Sequence, residues 1–209
     1  MTQVTSTATA GSPTRDRLLD AAAELFYREG VGVGVEALCR VAGVSKRSMY
    51  QLFDSKDGVL AASLERSAPA YLAFLLPPDD GRPPRDRVLY VFERLEEMAA
   101  RPDFRGCPLV AVTAELKAPD HPASVVARRG KDELTAFFRR EAERGGAGDP
   151  ELLARQLTVA FDGSGVRAVM QGRGLDGLAL ATATALLTAA GVENGDTTTP
   201  DEPEPEPSA

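Results

Sequence analysis

The stretch Val35–Lys56, VEALCRVAGVSKRSMYQLFDSK, leaves this chain little conformational choice. Glu36 to Ala42 is a short helix-compatible run with Leu38, Val41 and Ala42 expected on its inner side. Gly43 stands where a left-handed residue stops a helix. Ser45 then occupies an N-cap position, and a second short helix follows with Val44, Met49 and Phe53 pointing inward. Two short helices joined by a Gly-containing turn of about three or four residues form a helix-turn-helix. Lys46, Arg47, Ser48, Tyr50 and Gln51, all hydrogen-bond donors, fall on the outer side of the second helix. From Cys39 to Lys56 the bases Arg40, Lys46, Arg47 and Lys56 face one acid, Asp54, a local charge of +3 in a chain that totals −7. A locally basic, donor-rich helix in an acidic chain points to a nucleic-acid face. Taken by themselves, these residues fit an ordinary helical hairpin with a solvated charged side as well.

The remainder reads as helix throughout. Ala, Leu, Glu and Arg dominate, Trp is absent and aromatics are 6%, which favours helix over strand. A chain of 209 residues can bury one or two substantial cores. Residues 1–13 are a polar arm rich in Thr and Ser. Thr14 can cap a first helix whose stripe is Leu18, Ala22, Leu25 and Phe26, closed by Gly30. Ser55 caps a fourth helix that Pro77 and Pro78 stop near Leu76. Pro84 opens a fifth, with Val88, Val91, Phe92, Leu95 and Met98 on one face. Pro108 opens a short sixth with Cys107 at its cap, and Pro122 a long seventh lined by Val125, Val126, Leu134, Phe137 and Phe138. An eighth runs from Glu151 to about Gln171 and a ninth from Gly177 to Ala190. Residues 192–209 carry six acids and no base, which leaves −1 for everything before them, and they read as a disordered acidic tail. The expectation is an all-α protein of about nine helices, divided into an arm (1–13), a head (14–56), a helical body (57–191) and the tail (192–209).

Several classes are disfavoured. Two cysteines on separate helices suggest neither a disulfide framework nor a zinc site. One His, no nucleophile elbow, no phosphate-cradling Gly loop and no ligand cluster leave an enzyme little to work with, and no cofactor or metal is expected. The polar start lacks an apolar core and Leu178–Ala190 is too short to span a bilayer, so the expected location is cytoplasmic with no membrane partner.

Leu18–Leu64 resembles the N-terminal domain of TetR-family transcriptional regulators over LLDAAAELFYREG and LCRVAGVSKRSMYQLFDSKDGVL. The AGVS block, Ser48, the Tyr50-x-x-Phe53 pair and Ser55-Lys56 carry the likeness, which covers roughly a quarter of the chain. Two positions depart from it: Gly34-Val35 stands where the family has a Thr or Ser pair, and Leu52 where it often has His. The first removes a phosphate contact; neither breaks the fold.

The resemblance implies a dimeric, ligand-responsive regulator of a palindromic operator, with repression the family default. Its DNA-binding candidates are Ser45, Lys46, Arg47, Ser48, Tyr50, Gln51 and Lys56, with Arg47 the best base contact and Tyr50 and Lys56 the phosphate contacts. Helices five to seven would enclose a small hydrophobic effector among Val91, Leu95, Met98, Cys107, Leu109, Thr113, Phe137 and Phe161, although each apolar residue could equally be solid core. The dimer surface would use Gly163, Ser164, Leu178, Ala183, Leu186 and Leu187 on the last two helices, which as residues alone also fit a monomer core. Cys107, at a helix start, offers an alternative redox or electrophile trigger, against the plainer reading of a small buried hydrophobe. Cys39 reads as packing and His121 as a helix-start residue.

Overall fold

The computed structural model of the chain describes residues 13–193. They form α1 (Pro13–Glu29), α2 (Val35–Ala42), α3 (Lys46–Leu52), α4 (Lys56–Leu75), α5 (Pro84–Ala99), α6 (Pro108–Leu116), α7 (Pro122–Arg144), α8 (Pro150–Gln171) and α9 (Leu178–Ala189). No strand occurs among the described residues, so the all-α expectation holds. Nearly all of the arm (1–12) and of the acidic tail (194–209) lie outside the described residues.

Local chemistry sets the helix ends. Proline occupies the first turn of α5, α6, α7 and α8, where its missing N–H costs no helical bond. Ser45, Ser55, His121 and Asp149 each accept a backbone N–H at the start of α3, α4, α7 and α8. α1 differs slightly from expectation: it begins at Pro13, so Thr14 lies inside the helix.

Two cores form. One joins Leu18, Leu19, Ala22 and Phe26 of α1 to Leu38, Met49, Val59, Leu60 and Leu64, and continues into Leu109 and Val112 of α6 and Ala123 and Ala127 of α7. The head therefore has no private core; α6 and the start of α7 complete it. The other core lies between α5, α7, α8, α9 and the end of α4, around Phe92, which stacks on Phe138 and meets Phe161 edge-on. Two side chains expected inside are not. Val41 is 52% exposed because α2 buries Leu38, Cys39 and Ala42 instead. Val125 is 38% exposed because α7 turns Ala123, Ala127, Gly130 and Leu134 inward.

Polar links join the elements. Glu141, buried on α7, accepts from Arg87 at 3.0 Å and from Arg144 at 2.7 Å. Removing either partner of such a buried pair leaves an uncompensated charge. Glu96 on α5 serves α9 as a cap from a distance, accepting the N–H groups of Ala179 (2.9 Å) and Gly177 (3.2 Å), since Gly177 has no side chain to do so. Replacing Glu96 with Ala should cost about 1–2 kcal/mol and lower Tm by about 2–8 °C, while Glu96→Gln, which still accepts, should lose less. Thermal melts followed by circular dichroism check this; equal melting of the two variants would show that the carboxylate does not cap α9.

Candidate nucleic-acid interface

α2 ends in a Schellman-type turn. Gly43 adopts φ +64°, and the N–H of Val44 donates to the carbonyl of Cys39 at 3.0 Å. The chain then extends through Ser45, whose Oγ accepts from Ser48 N–H at 3.0 Å and lies 2.8 Å from the Ser48 hydroxyl. α3 is seven residues long, and Met49 is its one fully buried side chain, lodged with its sulfur 3.9 Å from Cys39 Sγ. Cys39 is thus a packing residue, as expected. With Met49 inward, Lys46, Arg47, Tyr50 and Gln51 are left on the exposed side.

The surrounding contacts fix this small element. Arg15 of α1 lies over the Phe53 ring at 5.2 Å. Lys56 Nζ donates to the carbonyls of Val31 (2.8 Å) and Val33 (3.2 Å), tying the α1–α2 loop to the start of α4. This half-buried ammonium is engaged with the protein itself, where the sequence suggested a phosphate contact. Gly30 (φ +86°) ends α1, and the next residue, Val31, donates its N–H to Glu115 on α6 at 2.8 Å. Tyr27 of α1 reaches the α5–α6 loop: its hydroxyl donates to Gly106 O (3.2 Å) and accepts from Arg105 N–H (2.9 Å). Burial pushes the Tyr27 phenol above its ordinary pKa, so it stays protonated and able to donate.

One participant in the head's electrostatics escaped the sequence reading. Glu36, in the first turn of α2, accepts from Lys46 Nζ at 2.5 Å. The hydrogen bond from Lys46 holds the Glu36 carboxyl below its usual range, and the same bond holds the Lys46 ammonium above its own. Among the described residues Arg40 and Arg47 have no ion-pair partner. Ten residues separate Glu36 from Lys46, so no helical spacing rule joins them.

The eight effector candidates are not brought together. Val91, Leu95, Phe137 and Phe161 are packed in the body core with Met98 at its edge, whereas Cys107 and Leu109 belong to the core beneath the head. Thr113, another of the effector candidates, is exposed and its hydroxyl donates to Leu109 O at 2.9 Å, so it does not face an interior pocket. Between head and body, a small cavity of about 30 Å³ is bounded by Phe26, Tyr27, Leu60, Ser63, Val112 and Glu115. Cys107 is buried at the N-cap of α6, beside Tyr71. Burial, with Cys107 as neighbour and hydrogen-bond partner, raises the Tyr71 phenol well above its ordinary range. His121 caps α7 through Nδ1, which accepts from Ala123 N–H at 3.1 Å, and its Nε2 lies 3.4 Å from Asp57.

Among the dimer candidates, Gly163 and Leu178 are exposed and Ser164 and Leu186 half-buried. Ala183 and Leu187 are fully buried within the protomer, so they are core residues and not interface. The sequence reading missed the outer face of α8. Leu152, Val159, Val166 and Met170 are exposed there, Val159 at 72% and Met170 at 81%. With Gly163 they recur every seven, four, three and four residues, the spacing of one helical seam, and that periodicity could have revealed them. No helix among the described residues is long and apolar enough to cross a membrane.

Comparison with known proteins agrees with this architecture. Residues 18–63 match the family described as bacterial regulatory proteins, tetR family, a span that contains the whole α2–α3 unit. The chain is 31% identical over 137 residues to the HTH-type transcriptional repressor NemR of Escherichia coli K12, covering 63% of this chain and 68% of NemR. A TetR-type transcriptional regulator from Streptomyces avermitilis superposes with a TM-score of 0.84 at 60% identity, over 87% of this chain and all of that one. E. coli NemR in its reduced form superposes at 0.70 with 26% identity, over 85% of this chain and 96% of that one. The chain belongs to the TetR family of DNA-binding transcriptional regulators.

Proposed function

We propose that the protein is a dimeric repressor that reads a palindromic operator with two copies of α3 and releases it when a small, largely hydrophobic effector occupies the body. The observation that carries this reading is the exposed donor row of α3 on a rigidly seated head, together with the exposed apolar seam of α8. Residues 14–56 act as the head, and 57–191 bind effector and pair the subunits. A head this small makes few base contacts, so specificity comes from two half-sites whose centres lie roughly 34–36 Å apart, or a multiple of that. Arg47 bridges the major-groove acceptors of a guanine, Ser48 and Gln51 contact neighbouring groups, and Tyr50 reaches a phosphate. Ser45 serves by holding the helix start. The repressor name of NemR, at 31% identity, supports the direction of regulation.

Release follows from the shared helix. The first half of α4 is packed in the head's core and its last turns in the body's, so a body that adjusts around a ligand moves the head with it. A coupling of about 1–3 kcal/mol weakens DNA binding roughly 5–150-fold. The closed body core implies that effector binding selects a more open conformer.

A second reading rests on Cys107. Cys107 is the N-cap residue of α6 without a side-chain capping bond, it follows Gly106, whose carbonyl Tyr27 of the head holds, and a structurally similar relative is described in a reduced form. Oxidation by peroxide to a sulfenic acid, with water as the other product, places a polar oxygen in this buried position and disturbs the loop that Tyr27 grips.

Three outcomes test these readings. Arg47→Ala should lose about 1–3 kcal/mol of affinity for the tightest duplex selected from genomic fragments, with the fold and oligomer unchanged; unaltered anisotropy titrations would remove Arg47 from the interface. Val166→Asp with Met170→Asp should convert a dimer to a monomer in sedimentation and abolish tight operator binding; a dimer that survives both charges places the interface elsewhere. Peroxide should dissociate the wild-type complex but not the Cys107→Ser complex if the thiol is the trigger, whereas both complexes withstand it if an apolar effector is.

A further inference from the structure

We infer that Glu36 is a specificity-determining residue of the reading head. By holding Lys46 it withholds one cation from the DNA backbone at large and reserves that cation for the correct sequence. The inference rests on the DNA-binding reading of α3. Lys46 is the first residue of α3 and directly precedes Arg47; Glu36 lies in the first turn of the neighbouring helix and meets it at 2.5 Å. Both side chains are more than half exposed, so the pair does little to hold the fold together. The helix starts do not depend on it: Ser45 caps α3, and Gly34 opens α2 without a side-chain bond. The amide dipoles at the start of α2 favour an acid at position 36, but they do not require it to face the recognition helix.

The pair changes how the head meets DNA. Arg40 and Arg47 have no ion-pair partner among the described residues, and Lys56 is bonded to carbonyls, so Lys46 is the cation whose availability can vary. On arbitrary sequence the Lys46–Glu36 pair stays closed, contributes no net charge and sets a carboxylate near phosphates. Backbone attraction, the sequence-blind part of affinity, is thereby lowered. At the operator an exposed pair opens at little cost, because both members find better partners. Lys46 can donate to guanine O6 and N7, and a carboxylate can accept from a cytosine amino group. The pair therefore penalises wrong sequences more than the right one, a route to specificity that acts through the competitor.

The test uses the full chain, a generic 20-bp duplex and the tightest duplex recovered with the wild type from a random-sequence pool. Affinities are measured by anisotropy between 50 and 200 mM NaCl. Glu36→Gln should bind the generic duplex more tightly and steepen its log K against log salt slope by about 0.9, a loss about 3.5-fold larger than wild type across that range. Its preference for the selected duplex over the generic one should shrink. Glu36→Gln combined with Lys46→Ala should return the slope to the wild-type value, which assigns the extra contact to Lys46. A single variant with the wild-type slope and preference overturns the inference. A wild-type chain that binds neither duplex overturns the DNA-binding reading of α3 instead.

Discussion

The burial of Met49 is the contact on which the rest of the interface depends. α3 is two turns long, and an isolated helix of that length does not persist in water. It exists because Ser45 satisfies one of its free N–H groups, that of Ser48, and because Met49 is driven into the space between α1, α2 and α4. Removing one thioether from water fixes the rotation of the whole helix, and rotation decides which side chains face outward. Arg47, Tyr50 and Gln51 are presented as a group because Met49 is not.

What holds Met49 is in turn a core shared between head and body. Leu109, Val112, Ala123 and Ala127 belong to the later helices yet lie beneath the head. Polar links follow the same route: Glu115 holds the turn after α1, and Tyr27 grips the loop before Cys107. A head fastened in this way does not swing as an independent module. Its position follows the packing of α4 and α6.

Charge in this head is governed by pairing more than by count. The stretch Cys39–Lys56 carries +3, but Lys46 is paired with an acid outside it and Lys56 is bonded to two carbonyls. The cations left to attract a phosphate backbone are fewer than the composition suggests. The body follows the same rule, where Glu141 is tolerated inside only because two arginines surround it.

Local sequence determined the helices and their ends, because the groups that start and stop a helix lie within about four residues of one another. The prolines opening α5 to α8, the caps at Ser45 and Ser55 and the left-handed Gly43 were legible for that reason, and so was the helix-turn-helix they frame. Which face of each helix is covered was not, since that depends on neighbours distant in the chain. Val41 and Val125 turned outward, Ala183 and Leu187 turned into the protomer, and the seam from Leu152 to Met170 was left open. The apolar residues expected around one pocket were divided between two cores for the same reason. Only the tertiary structure brought Glu36 to Lys46 and the Val31 and Val33 carbonyls to Lys56, because an ion pair or a long-range hydrogen bond is set by distance in space, and helix packing decides that distance.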